Sequence, residues 1–273
     1  MSEGGNTVSA KDIESQIDYI LSHYTQEQID KIGKVSIYTA SSVLDQECMP
    51  TKSLVYLALK ASNFSNLKVL SLETRPEYVE DWELKTLKNI FNNNVKIEVG
   101  IGYETHDPHL RNLVLKKGLT IEELRELMAM LAENNCFLKA YIMLKPHYSL
   151  SEEEGVVEAV NGVKELYELS KEFNVETSVH LNPTYIAKDC SLTDGMIEYG
   201  FKPPELSSVI EVLKVASGLK MPIYAGLDDE GMAIQGGTFR YTGLDKEIAV
   251  KAILSYNNHQ DYNRMIKEAN YKN

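Results

Sequence analysis

The sequence is short of cysteine, of positive charge and of long apolar runs, and each shortage excludes something. Its three cysteines, Cys48, Cys136 and Cys190, are odd in number, far apart and in no CxxC arrangement. That argues against a disulfide framework, and each reads as a small buried residue. Lysine and arginine total 28 against 40 aspartates and glutamates, a formal charge of −12. A broad phosphate-binding surface is therefore not expected, and direct contact with a nucleic acid is expected only with the help of a partner. Apolar stretches are no longer than strands, and the opening Met-Ser-Glu-Gly-Gly-Asn is neither basic nor apolar. No membrane span and no secretory leader are expected, which points to a cytoplasmic chain.

What the sequence does contain is alternation of strand-like and helix-like segments. At 273 residues and 43% apolar content it matches a single α/β barrel in size. The most informative stretch is Val95–Thr105, where Val95, Ile97, Val99 and Ile101 alternate with Lys96, Glu98, Gly100 and Gly102. This two-residue period predicts a central strand, and the polar Glu104-Thr-His-Asp107 that follows predicts a site at its C-terminal end. Glu98 falls on the face opposite the apolar residues, where a charge is tolerable only in a polar cavity or with a partner.

Other strands are predicted at Lys34–Thr39, Leu67–Leu72, Phe137–Leu144, Val175–Leu181 and Pro222–Leu227. Helices are predicted from Ser9 to about Ile32, Pro50 to Ala61, Pro76 to Phe91, Thr120 to Glu133, Ser151 to Phe173, Pro204 to Ala216 and Asp245 to Ala269, with a short one at Asp107–Val114. Capping boxes open two of them, at Ser9–Asp12 and Thr120–Glu123, and Ser151 caps a third. Six strands separated by crossover helices predict a parallel sheet, whose strand C-termini carry the ligand site. Those ends hold Thr39 and Ser41, Glu73 and Arg75, Glu98 and Glu104, Lys145 and His147, His180 and Asn182, and Asp228. Singly, such residues cap helices or solvate loops; together, the long charged ones need partners in a closed mouth. The expected organisation is a flexible 1–8, a barrel over 9–243 and a helical extension over 244–273.

Six motifs then resemble one family. Ile37-Tyr-Thr-Ala-Ser-Ser-Val-Leu-Asp45, Leu72-Glu-Thr-Arg-Pro-Glu77, Ile97-Glu-Val-Gly-Ile-Gly-Tyr-Glu104, Lys116-Lys-Gly-Leu-Thr120, Tyr141-Ile-Met-Leu-Lys-Pro146 and Leu181-Asn-Pro-Thr184 stand in the order of a radical SAM barrel. They look most like the branch containing the Elongator catalytic subunit and the archaeosine-biosynthesis radical SAM proteins; Phe201-Lys-Pro-Pro204 resembles the archaeosine side. The resemblance implies an open (βα)6 partial TIM barrel with S-adenosylmethionine across the strand tops. By that resemblance Thr39, Ser41 and Ser42 would face the methionine amino group. Glu73, Arg75, Glu98, Glu104 and Lys145 would hold the rest of the cofactor, Arg75 being suited to grip a carboxylate in bidentate fashion. His147, His180, Asn182 and Asp228 would face the substrate.

The family holds a [4Fe–4S] cluster on a CxxxCxxC loop, because iron–sulfur clusters demand thiolate ligands. This sequence has no such motif, and Met1–Thr7 stands where the loop should end. The second cysteine pair of the archaeosine branch is also missing from Gly237-Thr-Phe-Arg-Tyr-Thr-Gly243. Three explanations stand: a fragment, one half of a split enzyme, or a barrel that has given up its cluster. The first two imply a radical SAM enzyme completed by a cluster segment from outside the chain. The third implies a non-catalytic barrel that binds a ligand or a partner, with an open sheet edge near Lys34–Thr39 inviting a partner subunit or a homodimer. A histidine metal site built from His106, His109, His147 or His180 is a distant third, since Asp-Pro between His106 and His109 breaks helical spacing.

Overall fold

The computed structural model describes residues 8–39, 41–242 and 245–269. The segment expected to be flexible, apart from Val8, and the expected boundary at 243/244 lie outside the described residues.

The chain begins with α1 (Ala10–Leu21) and α2 (Gln26–Ile29), then alternates: β1 (Lys34–Ile37), α3 (Thr51–Ala61), β2 (Val69–Glu73), α4 (Asp81–Ile90), β3 (Lys96–Glu104), α5 (Ile121–Glu133), β4 (Phe137–Leu144), α6 (Glu152–Phe173), β5 (Thr177–Pro183), α7 (Thr193–Glu198), α8 (Leu206–Ala216), β6 (Ile223–Ala225), α9 (Lys246–His259) and α10 (Tyr262–Ala269). The six strands form one parallel sheet in chain order, β1 to β6. It is the expected partial (βα)6 barrel.

Two compact units can be distinguished, Met1–Ile101 with Glu126–Leu138, and Gly102–Arg125 with Lys139–Asn273. In the first, Lys34 to Ile37 of β1 stand opposite Val69 to Leu72 of β2, and Val69 to Glu73 stand opposite Lys96 to Gly100 of β3. The alternating residues Ile97, Val99 and Ile101 join Leu70 and Leu72 in the core with Leu54 and Ala58 of α3 and Leu84 and Leu87 of α4, all essentially buried. In the second, Val179 and Leu181 of β5 stand opposite Ile223 and Ala225 of β6, covered by Leu166, Val209, Leu213, Ile253 and Tyr256. The free edge of β6 is occupied by side-chain amides of α9 and its cap. Asn257 accepts from the Ala225 N–H and donates to its carbonyl, both at 2.9 Å, and Gln260 accepts from the Ile223 N–H at 2.8 Å.

Several element boundaries differ from expectation, for local reasons. The helix expected to reach Ile32 ends at Leu21, and a second capping box, Thr25 with Gln28, opens α2. Pro76 starts only a 3-10 turn, Pro76–Tyr78. Val79, buried and extended, separates it from α4. The segment Asp107–Val114 narrows to a π-helical turn, Leu110–Val114. The tail breaks at Gln260, whose φ of 53° ends α9. Helix α7 was not anticipated, being only 6 residues long.

Candidate functional site

At the ends of β1 and β2, in the first unit, backbone and hydroxyls interlock. The Ser41 N–H donates to the Thr39 hydroxyl oxygen at 3.2 Å, and the Val43 N–H to the Glu73 carbonyl at 2.9 Å. Ser42, fully buried, accepts from the Arg75 N–H at 3.1 Å, so the β1 loop is bolted to the residue that carries the guanidinium. Arg75 pairs with Glu77 at 2.6 Å, both side chains about half exposed. Glu98 lies lower. Its register partner is Ser71, and its carboxylate takes the Lys34 ammonium at 2.7 Å and the Ser71 hydroxyl at 2.6 Å. The polar face predicted for Glu98 is thus supplied by neighbouring strands. The structure brings Thr39, Ser41, Ser42, Glu73 and Arg75 to the strand ends and leaves Glu98 at mid-strand.

In the second unit, β3 ends in a braced corner. Glu104 adopts φ 68° and pairs with Lys117 at 2.8 Å. Behind it Tyr103 donates to Glu165, and the Thr105 hydroxyl donates to Glu158 at 2.6 Å. Buried Arg111 donates to the Thr105 carbonyl at 3.0 Å and the Leu119 carbonyl at 2.9 Å, and lies over the Tyr103 ring. Burial and the Glu165 carboxylate raise the Tyr103 hydroxyl well above the ordinary phenol range, so it stays protonated and able to donate to Glu165. His106 joins Glu165 at 3.3 Å, and the His109 N–H is capped by Asp107 at 2.7 Å.

Lys145 closes β4 at φ 58° and is 7% exposed. Its ammonium donates to the Lys202 carbonyl at 2.9 Å and Glu152 at 3.3 Å. Glu152 also receives Arg240 at 2.9 Å, the Glu205 N–H at 2.8 Å and the Ser208 hydroxyl at 2.7 Å. Burial opposes its ionisation, but these donors outweigh it and hold the carboxyl below its ordinary value. Position 155 must be glycine-sized here, because a Cβ would come within 2.8 Å of the Lys145 Cβ. His147 leaves this brace and stacks on Tyr148, which stacks on Tyr199; burial lowers its pKa.

His180 and Asn182 lie on β5, and Asp228 lies in the loop that follows β6. His180 packs edge-on to Tyr141, with centroids 5.6 Å apart, and against Tyr224 at 5.2 Å. One step along, Asn182 and Asp228 line a cavity of about 320 Å³ with Tyr141, Tyr185, Gly226 and Phe239, rimmed by Asp229 and Glu230. A Cβ at 226 would stand 2.6 Å from the Asn182 Oδ1, so the glycine keeps that carboxamide open. Only Asp228 is singled out at this strand end from the sequence, although Asp229 and Glu230 adjoin it in the chain. Tyr141, Tyr185 and Phe239 were missed; the strand alternation Lys139, Tyr141, Met143 was the signal available for the first.

No protein-family profile matches the sequence. Over 275 residues, all of this chain and 73% of the relative, it is 25% identical to an uncharacterized protein of Methanocaldococcus jannaschii. Over 199 residues, 70% of this chain, it is 27% identical to archaeosine synthase subunit beta of Thermococcus kodakarensis, covering 58% of that relative. Among solved structures, Elp3 of Methanocaldococcus infernus lacking residues 1–46 matches with a TM-score of 0.55 at 14% identity, over 92% of this chain and 59% of that one. The fold is the radical SAM-type partial barrel. The motif resemblance and the structural neighbour agree at that level, and the barrel spans under two thirds of both the Thermococcus relative and the Elp3 chain. Among the described residues no helix is long and apolar enough to cross a membrane.

Proposed function

We propose that the barrel binds S-adenosylmethionine at its strand ends and takes part in radical chemistry when a [4Fe–4S]-bearing segment is supplied from outside this chain. The observation that carries the proposal is the β1–β2 corner. There Thr39 and Ser41 offer hydroxyls, Glu73 a carboxylate for an ammonium or ribose, and Arg75 a guanidinium for the methionine carboxylate, the last two anchored through Val43 and Ser42. Glu98, already engaged by Lys34 and Ser71, steadies the strands below. Glu104 and Lys145 belong to the second unit, where each has a protein partner of its own.

The cysteines of this chain do not fit the cluster. Among the described residues no three His, Cys, Asp or Glu side chains gather as a metal site. Burial raises the Cys136 thiol to about 11, which keeps it protonated near neutral pH. No reaction step is therefore assigned to these residues beyond binding and orientation.

The test is anaerobic titration calorimetry of the chain with S-adenosylmethionine. Wild type is expected to bind, with affinity falling about tenfold or more in Arg75→Ala, whose lost bidentate pair is a charge-assisted contact. Absence of binding in wild type overturns the cofactor reading for this chain. A second reading, a barrel that serves as a partner-binding subunit, is supported by α1. That helix buries none of its residues fully and exposes Tyr19 and Ile20. The Thermococcus relative is itself named as a subunit of a synthase. Light scattering of the chain alone and with candidate subunits distinguishes the two readings.

A further inference from the structure

The cavity beside β5 and β6 has a composition unlike that of the cofactor corner. Its walls are aromatic, from Tyr141, Tyr185 and Phe239, and its charged lining consists of Asp228, Asp229 and Glu230 with no lysine or arginine. Among the described residues none of the three carboxylates forms an ion pair. The Asp228 Oδ1 accepts from the Glu230 N–H at 2.8 Å and the Asp229 Oδ1 from the Gly231 N–H at 2.9 Å, which leaves the second oxygen of each available. The Asn182 carboxamide, kept open by Gly226, has no hydrogen-bond partner among the described residues. The field of the carboxylates reaches inward: burial, then Glu230 and Asp229, raise the Tyr185 hydroxyl above its ordinary value. One face of two of these rings is taken by an ammonium of the chain itself, which leaves the Tyr185 ring and the opposite faces to a ligand. Lys139 sits over Tyr141 at 4.6 Å and Lys246 over Phe239 at 5.7 Å.

We infer that this cavity binds an organic cation, a primary ammonium or guanidinium on an apolar stem, with the stem against the rings, the charge toward Asp228 and Glu230, and a hydrogen bond to Asn182. Carboxylates and phosphates are repelled by the three negative groups. A hydrated metal ion would use the acids but gain nothing from the aromatic walls, whereas an alkylammonium gains from both, since ring faces attract desolvated cations. At about 320 Å³ the space suits a small molecule or the end of a larger one. As the substrate class of the proposed enzyme, the inference rests on the cofactor reading. As a ligand site it stands on the cavity alone.

The experiment uses three probes of equal chain length, cadaverine, 1,5-pentanediol and glutarate, added without S-adenosylmethionine to the ¹⁵N-labelled chain at low ionic strength. Cadaverine is expected to shift the resonances of Asn182, Gly226 and Tyr185 in a saturable manner, with the diol at least about tenfold weaker and glutarate silent, since two unit charges face the ammonium. The Asp228→Asn/Glu230→Gln double variant keeps the Asp228 turn acceptor and is expected to lose about tenfold in cadaverine affinity. Tyr185→Leu is expected to weaken cadaverine while leaving magnesium unchanged. Equal binding of cadaverine and diol, or unaltered cadaverine affinity in the double variant, overturns the inference. So does magnesium chloride displacing cadaverine with Tyr185→Leu without effect, which would make the rim an inorganic ion site. Because S-adenosylmethionine is absent, failure here is distinct from failure of the cofactor titration.

Discussion

The ends of β4 and β6 both carry charge, yet one is a brace and the other an opening. Lys145 is buried, and every group around it has an answering group: Glu152 meets Lys145 and Arg240, and Arg240 meets Glu205 at 2.5 Å. Asp228 and Asp229 accept only backbone N–H groups of their own turn, and the Glu230 carboxylate beside them forms no ion pair among the described residues, all three lying at a cavity. A charged residue at a strand end therefore has two meanings, separated by whether counter-charges lie within reach. Closed networks fix the geometry of the loops, whereas unanswered charges next to empty space are available to a ligand.

If that distinction is right, the brace responds to mutation through stability and the opening does not. Glu152→Ala removes the acceptor shared by Lys145, Arg240, Ser208 and the Glu205 N–H, and is expected to cost about 2–4 kcal/mol in urea unfolding. Gly155→Ala presses a methyl group against the Lys145 Cβ and Cα and is expected to cost about 1–3 kcal/mol by the same measurement. The brace should also be acid-sensitive. A carboxyl held below its ordinary pKa adds stability that is fully present above the unfolded value, 4.5, and is lost as pH falls through the lower folded value. The stability gap between wild type and Glu152→Gln should accordingly narrow below pH 4.5; a gap that is flat with pH would show the carboxylate is not what matters. At the opening, Asp229→Asn/Glu230→Gln is expected to change stability by less than about 0.5 kcal/mol. It should also move the Tyr185 hydroxyl back toward 10.0 in an ultraviolet pH titration. A large loss of stability in this variant would erase the contrast.

Legibility from the sequence followed the same division. The strand alternation of Ile97, Val99 and Ile101 and the motif order were enough to place six strands, because core burial repeats every second residue. The capping box at Ser9 and the cap at Ser151 are present as read, while Thr25 with Gln28 divided a helix that apolar periodicity alone had joined. The roles of Glu98 and Lys145 were harder to see. Their partners Lys34, Ser71 and Glu152 come from other elements, and Lys34 stands 64 residues from Glu98. Arg240 was missed for the same reason, its contact with Glu152 spanning 88 residues. Phe239 and Tyr185 come from loops, where no periodicity announces a side chain's direction.

The amides on β6 have a consequence for assembly. Asn257 and Gln260 imitate the hydrogen-bonding face of a further strand without being one, so a strand arriving from another chain finds those donors and acceptors already taken. β1, first in the strand order, has no such guard among the described residues. The last strand of the sheet is therefore sealed against edge-to-edge aggregation by two side chains rather than by a neighbouring strand.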